Sequence, residues 1–269
     1  MKIIRNKIKL RKLIKNEKEL GFVPTMGSIH RAHISLVNKS VSVCKKTIVS
    51  IFVNKPQFNK KKDYSNYPKT LKNDIKLLKN SKVDYLFIPK NIDIYPNGYN
   101  KKLKVHALSK KLCGKFRPGH FKAVVDVVDR LIKIIEPKKI FLGEKDMQQL
   151  KIIESFLKTK KTKTEVISCK TIRQVNGLAY SSRNSLLNSH ENYIAGKIYK
   201  LILKSKKKLI KNRSLIKLLK NEVMKFGVKK IEYLKILDVN KLTKPFKNKK
   251  KFKIFIAYYL SSVRLIDNV

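Results

Sequence analysis

The segment GFVPTMGSIHRAH, Gly21 to His33, decides the fold. GFVPT is short, apolar and rich in strand-forming side chains, so it reads as a strand closing near Pro24. Gly27, within Thr25-Met26-Gly27-Ser28, marks the turn that follows, because glycine takes positive φ or lets backbone approach a ligand closely. A helix is expected from Arg31 to Val43. Strand, glycine turn and helix form the opening unit of a parallel α/β sheet, and such sheets take ligands outside the carboxyl ends of their strands. The helix start offers N–H groups and a partial positive dipole. His30 and His33 lie about one turn apart at that point, and an imidazole can donate to a developing phosphoryl oxyanion. Together these are the parts of a phosphate site, although on spacing alone either histidine fits equally as a cap or a surface residue. A metal centre fits poorly, since two histidines need further ligands and no cysteine or HExxH pattern lies nearby.

The alternation continues outward. A helix reads over 6–19, a buried parallel strand over Thr47–Asn54, a helix over Pro68–Asn80 and a strand in VDYLFIP. A helix over Lys122–Ile135, a strand in KKIFLG, a helix over Asp146–Leu157 and a strand in TEVISC follow. Pro89 to Lys104, with two prolines and a glycine, reads as a loop. This is the pattern of an α/β domain with a mainly parallel sheet. Beyond about Asn184 the order becomes helix, helix, strand, strand (190–210, 214–226, VKKIEYLKILD, KFKIFIAYYL), the pattern of a smaller α+β domain. The division is expected between 176 and 186, giving domains 1–180 and 181–269.

The charge of +47 invites a nucleic-acid reading, but only nine of the 65 basic residues are arginine and lysine appears in every segment. Such even spread fits a compositional bias and solvated surface, with no specific nucleic-acid partner. At 42% apolar residues the chain can fill a core. Three scattered cysteines match no metal or redox pattern and point to a reducing compartment, and no apolar run is long enough for a membrane span. Neither GxxxxGK[ST] nor GxGxxG is present, which disfavours a Walker-type ATPase and a dinucleotide oxidoreductase.

Other polar clusters sit at expected strand ends. SIFVNKPQF puts Asn54 and Gln57 past a strand, where amides either orient a small hydroxy acid or hold a loop. KFRPGHF places Arg117 and His120 around a Pro-Gly turn. FLGEKDMQQL crowds Glu144, Lys145, Asp146, Gln148 and Gln149 at a strand end and helix start. The acids there suit the helix dipole, but Lys145 opposes it unless an anion binds beside it. LAYSSRN supplies Ser181, Ser182 and the fork of Arg183, suited to phosphate or to a simple linker.

The ordered set PTMGSIHRAH, IFVNKPQF, NYPKTL, FRPGHF, FLGEKDMQQL and LAYSSRN, closed by SVRLIDN, resembles the pantothenate synthetases, ATP-dependent pantoate–β-alanine ligases, over almost the whole chain. The resemblance implies a Rossmann-like, HxGH-type nucleotidyltransferase domain with a parallel sheet and a smaller C-terminal α+β domain, in a cytoplasmic homodimer. It implies that pantoate is adenylated by ATP with Mg²⁺ and that the amine of β-alanine then displaces AMP. Carried over by motif, Met26, Gly27, Ser28, Ile29, His30, Arg31, Ala32 and His33 would meet ATP, as would Gly143, Glu144, Lys145, Asp146, Ile172, Tyr180, Ser181, Ser182 and Arg183. His33, His30, Lys145 and Arg183 would be catalytic, Gln57 and Gln149 would hold pantoate, and Gln57, Asn54 and Tyr67 would face β-alanine. No protein metal ligand is implied. Four positions depart from the family's pattern: Ala32 for glycine, the proline of NPxQF moved to Pro56, Lys69 for arginine, and Cys113 for glutamate. The rival readings are a nucleotidyltransferase for another acid, which leaves the two glutamines without purpose, and a polyanion-binding protein.

Overall fold

A computed structural model describes residues 1–100, 102–239, 242 and 252–269. The chain forms two compact units, Met1–Glu144 with Gln148–Lys170, and Lys145–Met147 with Thr171–Val269. In chain order the first part contains β1 (Lys2–Ile4), α1 (Lys7–Ile14), β2 (Leu20–Thr25), α2 (Arg31–Val43), β3 (Lys46–Ile51), α3 (Lys61–Ser65) and α4 (Leu71–Lys79). It continues with β4 (Tyr85–Phe87), α5 (Asn91–Ile94), α6 (Cys113–Phe116), α7 (His120–Ile135), β5 (Lys139–Gly143), α8 (Met147–Thr159) and β6 (Glu165–Cys169).

Its strands form one parallel sheet in the order β1-β4-β3-β2-β5-β6. From β2 the chain steps outward through β3 to β4, then resumes with β5 on the other side of β2. That reversal is the switch point at which doubly wound sheets bind ligands. Ile48, Val49, Phe22, Val23, Ile140 and Phe141 are buried, as expected for strands covered on both faces. Helix α2 packs so closely on β2 that a side chain at Gly21 would run into the Ser40 hydroxyl and lie 2.9 Å from Cys44 Sγ. The Ser40 and Thr47 hydroxyls bond each other at 2.8 Å beneath it, so this contact hides no unsatisfied group. On α7, the buried Asp126 and Asp129 are matched one turn later by Arg130 and Lys133, both at 2.8 Å.

Several elements differ from expectation. The first helix stops at Ile14 because only Leu10 and Ile14 reach the core, and Asn6 caps its start by accepting from Ile8 N and Lys9 N. The expected 89–104 loop holds the one-turn helix α5, its start fixed by Asp93 accepting from Lys90 N at 2.9 Å, while Lys101 lies outside the described residues.

The second unit contains α9 (Ser189–Lys211), α10 (Ile216–Met224), β7 (Lys230–Asp238), β8 (Phe252–Leu260) and β9 (Val263–Asn268). Lys251, expected within the penultimate strand, lies outside the described residues. Asn188 and Glu191 close a reciprocal capping box at the start of α9, at 2.8 and 2.9 Å. The helices bury Ile198, Ile202, Leu219 and Val223 in one core with Ile254, Ile256 and Leu265 of the antiparallel sheet β7-β8-β9. Apart from Lys145–Met147 the unit runs from Thr171, whereas the sequence reading draws its division at 180/181. The reason lies in Arg173, which pairs with Ala179 across a β-bridge, donates to both Asp267 oxygens at 2.6 and 2.9 Å, and stacks on Tyr199 at 3.8 Å. Arg173→Ala leaves the largely buried Asp267 carboxylate without its cation, with only the Asn268 N–H at 2.7 Å to hold it, and is expected to cost about 3 kcal/mol. Urea unfolding checks this, and an unchanged midpoint would contradict the assignment.

Candidate active site

The turn after β2 is built from within. Thr25 Oγ1 donates to Ser50 O at 2.7 Å and accepts from Gly27 N at 3.2 Å. Gly27 takes φ +80 and Ser28 follows at φ +52, a left-handed conformation costing a non-glycine residue about 1–2 kcal/mol. The carboxylate of Asp74, on α4, offsets that strain. It accepts from Ser28 N at 2.9 Å, Ile29 N at 2.8 Å and the Thr70 hydroxyl at 2.9 Å. A Cβ at residue 27 would stand 3.0 Å from Asp74 Oδ2, so both φ and space require glycine there. His30 takes the N-cap position of α2, and its ring stacks on that of His33, with centroids 3.9 Å apart and planes 17° off parallel. The pair thus stands at the positive end of the helix dipole, beside the switch point.

Past β3, Lys55–Gln57 forms a 3-10 turn with Pro56 in its first turn, where a missing N–H costs nothing. Asn54 donates to Gln57 Oε1 at 3.2 Å and Ala123 O at 3.1 Å, and accepts from the Tyr95 hydroxyl at 2.8 Å. Gln57 Nε2 lies 2.8 Å from Met26 Sδ, which joins this turn to the one after β2. The Gln57 carbonyl accepts from Arg117 Nη2 at 3.1 Å and from His120 Nδ1 at 2.8 Å. With Nδ1 donating, His120 Nε2 accepts from Arg117 Nη1 at 3.1 Å, which assigns the neutral tautomer. Arg117 and His120 of FRPGHF therefore clasp the Gln57 backbone. Tyr67 is buried, its ring edge-on to Phe58 at 5.4 Å, and the substituted Lys69 lies over Tyr64 at 5.3 Å.

Gly143 ends β5 and Glu144 opens the 3-10 turn after it, on the other side of the switch point from β3. Gln149 is half-buried in the first turn of α8. Its neighbour Gln148 is buried: Oε1 accepts from Cys113 N at 3.1 Å, while Nε2 donates to Leu108 O at 2.8 Å and Lys111 O at 2.6 Å. This ties down the segment in which Cys113 stands for glutamate. In the second unit, the Lys145 carbonyl accepts from Asn268 Nδ2 at 2.8 Å, and Lys145 Nζ lies 3.7 Å from Asp146 Oδ1. Tyr180 N donates to Ile172 O at 3.0 Å, and Ser181 Oγ accepts from Arg183 N at 3.3 Å. The first unit thus gathers Met26 to His33 with Asn54 and Gln57, and the second holds Lys145, Asp146, Ile172 and Tyr180 to Arg183.

Sequence reading passed over Asp74, Thr70 and Tyr95, and gave Gln148 no role of its own. Asp74 did carry a signal: in LKNDIKLLK it lies four residues before the buried Leu78, on the face where an acid needs a reason.

A doubly wound parallel sheet with a glycine turn, paired imidazoles at a helix start and amides at the switch point defines an α/β enzyme of the nucleotide-binding kind. The family model described as pantoate-beta-alanine ligase matches residues 2–269, and the chain belongs to that family, whose members act in pantothenate biosynthesis. The pantothenate synthetase of Thermosipho africanus is 37% identical over 262 residues, covering 96% of this chain and 94% of that protein. A crystal structure of pantothenate synthetase from Thermus thermophilus matches with TM-score 0.93 at 30% identity, over 100% of this chain and 99% of the other. The pantoate–β-alanine ligase of Francisella tularensis, solved in complex with β,γ-ATP and β-alanine, matches with TM-score 0.85 at 38% identity, over 100% and 97%.

Proposed function

We propose that the chain joins pantoate to β-alanine in two ATP-driven steps through an enzyme-bound pantoyl adenylate. The observation that carries this reading is the turn of Met26 to His33, held open by Asp74 and bonded to Gln57, in a member of the pantoate–β-alanine ligase family. The Francisella relative, crystallised with an ATP analogue and β-alanine, supports the same substrates here.

In the first step the pantoate carboxylate attacks the α-phosphorus and pyrophosphate leaves. No protein nucleophile is needed, since the substrate supplies it. His30, His33, Lys145 and Arg183 offset the charge that grows on the phosphoryl oxygens. Gln57 and Gln149 hold pantoate, Gly143, Glu144, Asp146, Ile172, Tyr180, Ser181 and Ser182 bind ATP, and Tyr67 borders the amine's path. In the second step the neutral amine attacks the acyl carbon and AMP leaves. Magnesium enters as part of the substrate, chelated by the phosphates. Among the described residues no three His, Cys, Asp or Glu side chains gather to hold a metal of their own. The same reading takes the enzyme to be a cytoplasmic homodimer. Its three free cysteines suit a reducing compartment, and among the described residues no helix is long and apolar enough to cross a membrane.

The test is purified protein with Mg·ATP. Pantoate alone should release pyrophosphate to about one equivalent per site, and AMP should appear only when β-alanine is added. kcat/KM for β-alanine should rise toward alkaline pH, because only the unprotonated amine attacks. No AMP with all three substrates, or pyrophosphate release with unrelated acids in place of pantoate, would overturn the proposal.

A further inference from the structure

Asn54 is 1% exposed, and its amide is bonded on every side within the first unit. The Ala123 carbonyl only accepts, so the atom facing it must be Nδ2. Oδ1 then faces the Tyr95 hydroxyl, which has to be the donor. The second Nδ2 hydrogen goes to Gln57 Oε1. With its oxygen engaged, Gln57 turns Nε2 toward the glycine turn, against Met26 Sδ. A thioether is a weak acceptor, readily displaced by a ligand oxygen.

We propose that Tyr95 is a positioning residue whose hydroxyl, with the Ala123 carbonyl at the other end, locks the Asn54 amide in place, and through it holds Gln57 so that a donor faces the acid substrate. This rests on the reading of Gln57 as a pantoate ligand. The pantoate carboxylate can only accept, so a donor at Gln57 suits it, while a reversed amide would set oxygen against oxygen. Asn54, expected on the β-alanine side, then serves the site through Gln57. Tyr95 is itself fixed. Arg130 lies over its ring at 4.7 Å, and Tyr99 meets it edge-on at 4.5 Å. Arg130 also donates to Ile94 O at 2.9 Å and Gly98 O at 3.0 Å, on either side of Tyr95, while held by Asp126. Burial, reinforced by the Asp126 charge, pushes the Tyr95 phenol well above its ordinary pKa, so it keeps its proton at any working pH.

Tyr95→Phe keeps the ring and removes only the donor. Pantoate KM should rise about tenfold, the scale of one lost hydrogen bond, with ATP KM and kcat within about twofold. In a Gln57→Ala background the same substitution should add nothing further, since its effect passes through Gln57. Asn54→Asp surrounds the site with acceptors, so Gln57 must turn Nε2 inward, and pantoate KM should rise by more than in Tyr95→Phe. An unchanged pantoate KM in Tyr95→Phe, an equal rise in ATP KM, or a full effect in the Gln57→Ala background would overturn the relay. The relay is also read without turnover. In ligand-free ¹⁵N-labelled protein the Gln57 side-chain amide resonances should move in Tyr95→Phe, and unmoved resonances would overturn it. Wild-type protein inactive with pantoate would instead sink the functional reading alone.

Discussion

Replacing His33 with alanine is expected to slow formation of pantoyl adenylate about 100-fold while the protein stays folded. The ring stands in the first turn of α2, stacked on His30, where the helix dipole and the imidazole both face an incoming anion. A donor fixed at that point costs no reorganisation as charge develops on the phosphoryl oxygens. Alanine is a strong helix former, and Ala32 already occupies the adjacent position, so the helix start has no reason to fray. Lys145→Ala should act in the same step, because its backbone is held by Asn268 and substitution removes the cation with only its 3.7 Å contact to Asp146. Single-turnover pyrophosphate release with pantoate and no β-alanine isolates the step. A near-normal rate in either variant would remove that residue from its role, and a matching loss of thermal stability would reassign the effect to folding.

The parallel sheet was legible because its strands announce themselves. Phe22 and Val23, Ile48 and Val49, and Ile140 and Phe141 are buried on both faces, which leaves an uninterrupted apolar run bounded by turn residues. Strand β1 was not legible, since three residues at a sheet edge carry no period. Strand β9 was recognised only as a closing segment, for VRLIDN mixes buried and half-buried positions that alternate poorly. The division between units depends on something else. The order of elements changes near 184, whereas the second unit takes in Arg173 through its bond to Asp267, a pairing between residues 94 apart that no local window sees.

The site divides along the same line. Residues placed at strand ends, such as Met26 to His33 and Gln57, could be located from turn chemistry and strand order. Residues that act by holding those side chains could not. Arg117 suited an anion by type, yet it donates to the Gln57 carbonyl beside His120. Gln148 and Gln149 are adjacent and alike in sequence, but helical geometry buries the first against the 108–113 segment and leaves the second half-buried. Tyr95 lay in a stretch read as loop, and its hydroxyl reaches Asn54 across 41 residues.

The second large effect should come from such a holding residue. Asp74→Ala is expected to lower unfolding stability by about 3–5 kcal/mol, the combined cost of the donors it leaves unmatched, and to disable adenylation with no ligand contact removed. The carboxylate is 1% exposed and receives three hydrogen bonds, two of them from consecutive backbone N–H groups that the turn leaves without helical partners. Without it, Ser28 has no compensation for φ +52 and the turn relaxes, carrying His30 and His33 out of register. Asp74→Asn makes the cause separable. Its shape is unchanged, but whichever way the amide lies, its NH₂ meets either Ser28 N–H or Ile29 N–H, so one buried donor goes unmatched, at about 1–3 kcal/mol. Urea midpoints should therefore fall in the order wild type, Asp74→Asn, Asp74→Ala, and ATP KM should rise in the same order. Gln57 is bonded through Asn54 and the Arg117–His120 clasp, not through Asp74, so pantoate KM measured at saturating ATP should move least in Asp74→Asn. An Asp74→Ala protein with a wild-type midpoint would show that the turn stands without the carboxylate, and the account of how this chain holds its histidine pair would fall with it.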